Sequence, residues 1–275
     1  MTPWFHLTLI GKDLKDKLLG LLFTVCVMGF VLTLGLMFYP QVAASGIGNI
    51  ISEMLEAFPE EILERFYLNS IPDFSSFSVY FSVLMPVIFM AMCIYACYLG
   101  ASSTVRDESN HNAVLYFSQP VSRESVVLSH YVARLVVLFL LNAGLFLITY
   151  IGAGPVTDMD GLPAMLLRVY GIFYLVEVLY LSVGSLISVF LDHVSQAPAA
   201  AFGLFLGTFL LGAIGSAVGG LVFLKWLSPY HHFSINSLTQ PDFSAPMAPV
   251  LLSLAVSLLC VGVACAWYRR KDLNL

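Results

Sequence analysis

Charge is what this sequence has least of. Only 11% of its 275 residues are Asp, Glu, Lys or Arg, against about 25% in soluble domains. With 59% hydrophobic residues and a mean hydropathy of +0.88, this excludes an ordinary globular domain and points to a polytopic membrane protein. The 12 Lys and Arg residues are too scattered for a phosphate-binding surface, so nucleic acid is not an expected partner. No Asn-X-Ser/Thr glycosylation acceptor occurs. All five cysteines, Cys26, Cys93, Cys97, Cys260 and Cys265, fall inside apolar runs, whereas a disulfide framework needs exposed loops in an oxidising compartment. Cys93 and Cys97 lie one helical turn apart, a spacing read as packing rather than as a metal pair.

Chemistry-bearing motifs are missing as well. There is no G-x-x-x-x-G-K-[ST], no H-E-x-x-H and no G-x-S-x-G, so the chain is expected to bind no ATP by a P-loop, to hold no cofactor or metal and to be no enzyme by itself. His231 and His232 are adjacent, and neighbours on a helix point about 100° apart and seldom share a metal. The first apolar run is long and lacks a small-residue cleavage site, which predicts a retained span rather than a signal peptide.

Apolar runs are abundant. Six stretches reach the roughly 20 residues that cross a bilayer core: 18–39, 78–104, 126–153, 164–191, 196–218 and 247–268. The fold class expected is an all-α polytopic membrane protein with six transmembrane helices over 18–275. An even number of spans puts both termini on one side. Lys12, Lys15, Lys17, Arg106, Arg123, Arg269, Arg270 and Lys271 fall on that side, and Arg65, Arg168 and Lys225 on the other. The positive-inside rule then places both termini in the cytoplasm.

Residues 1–17 separate Trp4, Phe5, Leu7, Ile10 and Leu14 from Lys12, Asp13, Lys15 and Asp16, which predicts an amphipathic helix in the membrane interface. The outer loop 40–77 carries Glu53, Glu56, Glu60, Glu61 and Glu64 opposite apolar residues; it reads as a solvated cap or as a docking site for a cation. A second outer segment, 219–246, is apolar, short and interrupted by Pro229, as in a re-entrant or interfacial piece. Gly203 and Gly207, like Gly215 and Gly219, are four apart, a spacing that lets helices approach within the chain or between two copies. Glu177 sits mid-span and Arg134 a third of the way into the third span. They are expected to form a polar pair, either holding two helices together or lining a path, and Arg134 alone could reach the inner headgroups.

The most polar stretch between spans is Thr104–Arg134, expected in the cytoplasm. Tyr116-Phe117-Ser118-Gln119 is followed by Pro120-Val121-Ser122-Arg123. Ser122 is placed to cap the next helix, with Glu124 in its first turn. This layout resembles the ABC-2 family of ABC transporter permeases, the type V exporter fold, in which an acidic residue after the second span, a short helix and a Pro-Val-Ser-Arg turn follow one another. Asp107 and Glu108 match the acidic position. Ser228-Pro229-Tyr230 and the closing Arg269-Arg270-Lys271 also resemble family elements, and the N-terminal helix resembles the family's interfacial helix. His111-Asn112 and His130 depart from the Gly-Thr and Lys common there.

The resemblance implies a coupling loop over 105–125. Its helix, Asp107–Phe117, docks on a separate cytoplasmic P-loop ATPase that binds ATP and Mg. The residues implied are Asp107, Glu108, Val114, Leu115, Tyr116 and Phe117, with Pro120, Ser122 and Arg123 forming the helix-start turn. Read from the residues alone, the apolar run Ala113–Phe117 suits either a groove on a partner or the inner leaflet. The function implied is that of a permease subunit, paired with a second permease in the plasma membrane of a bacterium or archaeon. The resemblance implies export, and the apolar spans with few internal charges suit a lipid, peptide or hydrophobic drug better than a small ion. An ion-coupled carrier without an ATPase and a membrane anchor for a cytoplasmic protein are the alternatives.

Overall fold

The computed structural model describes residues 7–46, 76–109, 122–157, 160–217, 219–233, 235–240, 243 and 246–271. Eight α-helices run through them: α1 Leu7–Ala44, α2 Phe77–Ala101, α3 Thr104–Ser109, α4 Arg123–Ala153, α5 Leu162–Ser188, α6 Ala197–Ala217, α7 Ile235–Leu238 and α8 Met247–Arg270. Among the described residues there is no strand, and six helices are long and apolar enough to cross a membrane. Each corresponds to one of the six apolar stretches. Hydrocarbon leaves backbone N–H and C=O groups no partner but each other, so a span of this length closes its hydrogen bonds as a helix.

The first span differs from expectation. Of the helix expected over 1–17, residues 1–6 with Trp4 and Phe5 lie outside the described residues, and residues 7–17 are the opening turns of α1, which continues to Ala44 over 38 residues. At 1.5 Å per residue that is about 57 Å, well beyond a hydrocarbon core of about 30 Å. Asp13 and Lys17 are buried against the bundle, and Asp13 meets His130 and Arg134 of α4 there.

The helix α5 is the centre of the bundle, packed on α2, α4 and α8, while α1 lies along α4. At the α2–α5 seam the two helices cross in close contact. A Cβ on Gly100 would overlap the carbonyl oxygen of Leu181, and one on Gly184 that of Cys97, so the two backbones meet where neither helix has a side chain. Cys93 and Cys97 are buried beside this seam. In contrast, a Cβ on Gly203 or Gly207 of α6 would meet nothing within 4 Å.

At one end of the bundle the chain returns inward through two 3₁₀ helices, Gly219–Leu227 and Pro229–His232, as Pro229 and the short apolar run suggest. Tyr230 carries this segment into the core. Its ring stacks on Phe89, which stacks in turn on Phe173, and its hydroxyl donates to the carbonyl of Pro86 inside α2 at 3.0 Å. Burial pushes the Tyr230 phenol up to about 12, which keeps it a donor. His231 and His232 have separate partners: Ser228 Oγ lies 2.8 Å from His231 Nδ1, and His232 Nε2 is 3.0 Å from the carbonyl of Trp226.

Candidate functional site, a polar joint at the charged end

The opposite end gathers the start of α1, the short α3, the start of α4, the α5–α6 turn and the end of α8. Helical spacing prepares it. Asp13 and Lys17 are four apart on α1, and His130 and Arg134 are four apart on α4, so each pair shares one face. The two faces meet, and α3 supplies Asp107 between them.

His130 is the hub. Its Nδ1 lies 3.1 Å from Asp13 Oδ2, and its Nε2 lies 2.6 Å from Asp107 Oδ2. A carboxylate oxygen at each nitrogen favours the imidazolium, hydrogen-bonded to Asp13 through Nδ1 and ion-paired with Asp107 through Nε2. Arg134, only 1% exposed, places Nε 3.5 Å from the same Asp13 oxygen and donates from Nη2 to the carbonyl of Ser102 at 3.4 Å. Asp13, Lys17, Asp107 and His130 are buried too. Charges removed from water are tolerated when each faces an opposite charge; here Asp13 faces His130 and Arg134, and Asp107 faces His130.

The short helix α3 is tied down on every side. Thr104 Oγ1 is 3.0 Å from Ser188 Oγ at the end of α5, and Ser188 Oγ also accepts from the Val105 N–H. The Val194 N–H, in the α5–α6 turn, donates to Ser109 Oγ. Glu108 Oε2 accepts from Lys271 Nζ at 2.8 Å, just past α8. Arg123 in turn donates from Nη1 to the Lys271 carbonyl at 2.6 Å. Ser122 caps α4 as expected, its hydroxyl accepting from the Ser125 N–H at 3.2 Å.

Several expectations change. The carboxylates of Asp107 and Glu108 are not turned outward to meet a partner; they bind His130 and Lys271 of the same chain. Arg134 and Glu177 do not pair. Arg134 belongs to this charged end, whereas Glu177, 0% exposed, accepts from Asn142 Nδ2 at 2.7 Å in mid-bundle. Nearer partners of suitable charge or polarity exist for each, and the two groups lie at different depths. Val114, Leu115, Tyr116, Phe117 and Pro120 lie outside the described residues, as does most of the outer loop 40–77. Asp13, Lys17, Asn142, Ser102 and Lys271 were not singled out as partners from the sequence; the four-residue spacing of Asp13/Lys17 and of His130/Arg134 was the available signal.

No group of three or more His, Cys, Asp or Glu residues that could hold a metal ion occurs among the described residues. The arrangement is suited to holding helices together, and α3 to α1, α4 and α8 in particular. No curated protein matches the sequence. Residues 7–273 match the family described as ABC-2 family transporter protein, a match that takes in all six spans, α3 and the closing basic residues. A six-span, all-helical chain matched over nearly its whole length belongs to the ABC-2 transporter family and is a transmembrane permease.

Proposed function

We propose that this chain is the permease subunit of an ABC transporter, driven by a separate cytoplasmic P-loop ATPase that binds ATP and Mg, and that it exports a lipid, peptide or hydrophobic drug together with a second permease copy. The charged end lies in the cytoplasm, where Lys15, Arg106, Arg269 and Arg270 follow the positive-inside rule. The segment Asp107–Phe117 meets the ATPase through Val114, Leu115, Tyr116 and Phe117, while Asp107 and Glu108 anchor its root to the bundle. ATP binding moves that segment, and the joint passes the movement to α1, α4 and α8, shifting the spans between two states.

One observation supports this reading above the rest: a six-residue helix between two spans is fastened by Asp107 to His130 and by Glu108 to Lys271. A surface loop with no mechanical role has no need of ionic ties both to α4 and to the end of α8. The test is purification of the full chain from its host membrane. A P-loop ATPase should accompany it and be lost from the Leu115→Asp variant. Recovery without any ATPase overturns the proposal.

A further inference from the structure

A recess opens at the charged end between the last third of α8 and the first turn of α4. Its volume is about 620 Å³, and it is lined by Glu124, Gly262, Cys265, Ala266, Arg269 and Arg270. Positions 262, 265, 266 and 269 recur three and four apart and form one stripe along α8. The stripe is small and apolar at its deep end and cationic at its mouth. A Cβ on Gly262 would meet nothing within 4 Å, so the deep end is open rather than filled by a neighbouring helix. From Gly262 to Arg270 the helix rises about 12 Å, a length that covers a headgroup and the upper part of an acyl chain. Arg269 is 75% exposed and reaches only as far as Glu124, at 3.6 Å, an exposed pair that holds it weakly.

We infer that this recess binds one anionic phospholipid. The headgroup phosphate sits between Arg269 and Arg270, and an acyl chain lies along Gly262, Cys265 and Ala266. Two guanidiniums against one carboxylate leave a net positive mouth, complementary to a headgroup of net charge −1. Small side chains beneath it leave room for a chain that a Leu or Phe would displace. The inference concerns membrane lipid and stands independently of any ATPase.

The test is native mass spectrometry of the purified full chain in detergent with phosphatidylglycerol, phosphatidylcholine or phosphatidylethanolamine at equal concentration. Phosphatidylglycerol should be retained about tenfold more than phosphatidylcholine, given the usual gain per cation at a membrane surface. The Arg269→Gln/Arg270→Gln variant should lose the preference. Gly262→Leu, which fills the recess and leaves every charge in place, should weaken retention as well. Glu124→Gln should strengthen it by removing the acidic group among the described lining residues. Each position is at the rim or open side, and an unchanged unfolding temperature in detergent confirms that the variants fold. Equal retention of the three lipids overturns the inference. So does loss in the arginine variant with none in Gly262→Leu, which would mean surface charge without a recess. A preference for phosphatidylethanolamine would assign the mouth to a zwitterionic headgroup paired with Glu124 and would equally overturn it.

Discussion

His130 is buried with a carboxylate at each ring nitrogen, and that fixes what it can do. Removing one member of a buried ionic set leaves the others charged and unpaired, a loss of about 3–5 kcal/mol. Replacement by similarly shaped neutral groups is milder and isolates the coupling. In a double-mutant cycle of Asp107→Asn and His130→Gln, thermal unfolding in detergent should give a coupling of about 1–3 kcal/mol. Strictly additive losses would mean that α3 is held by something else. Glu177 presents the contrasting case. It makes a single side-chain hydrogen bond, to Asn142, and Oε1 has no hydrogen-bond partner among the described residues. Gln at this position keeps an acceptor for Asn142 and removes the charge. Glu177→Gln should therefore leave unfolding temperature and transport unchanged. Abolished transport in a stable Glu177→Gln protein would favour the ion-coupled alternative instead. Neither partner of these residues was legible in the sequence. Asp13 and His130 are 117 positions apart, and periodicity reports which residues share a face, not which faces meet.

Among the helices, the α2–α5 crossing depends on two positions that have no side chain. Gly184→Val places atoms where the backbone of α2 runs and should lower stability by about 1–3 kcal/mol or more, since tightly packed backbones cannot yield as a flexible side chain can. Gly203→Ala on the open face of α6 should cost nothing, and Ala is the better helix former by about 1 kcal/mol. Unfolding of the two variants side by side checks both statements. The sequence pointed elsewhere, to Gly203 and Gly207, because a four-residue repeat within one helix is visible along the chain. The seam uses one glycine from each of two helices, and no repeat marks it. The spans themselves were legible for the opposite reason: hydropathy averaged over 20 residues is insensitive to which neighbour each residue touches. The inward return at Pro229 was likewise readable, since a proline in an apolar run too short to span restricts the backbone locally. The anchoring of that segment by Tyr230 on Phe89 and the Pro86 carbonyl was not. Continuity of α1 through Lys17 was missed because amphipathicity over 1–17 has two solutions: a polar face toward water, or one toward a polar face of another helix.

For the whole molecule the question is whether the charged end docks a partner or transmits a force, and Glu108 separates the two. A docking contact and an internal tie respond differently to charge reversal. Glu108 Oε2 lies 2.8 Å from Lys271 Nζ, with the Glu108 side chain 9% and the Lys271 side chain 19% exposed, so the pair is shielded from screening and from a partner alike. Glu108→Lys sets two cations against each other at the root of the proposed coupling segment and detaches it from the end of α8. The ATPase should still co-purify, since the apolar run ending at Phe117 is untouched, and ATP hydrolysis should continue. Substrate movement in reconstituted vesicles should fall several-fold, because the stroke is no longer delivered to α8. Adding Lys271→Glu restores opposite charges with their places exchanged and should recover most of that transport. Loss of the ATPase from Glu108→Lys that the second substitution does not repair would make Glu108 a docking residue after all. Recovery in the swapped pair has one physical explanation: the bond between the two side chains, rather than the identity of either, carries the movement from α3 into the bundle.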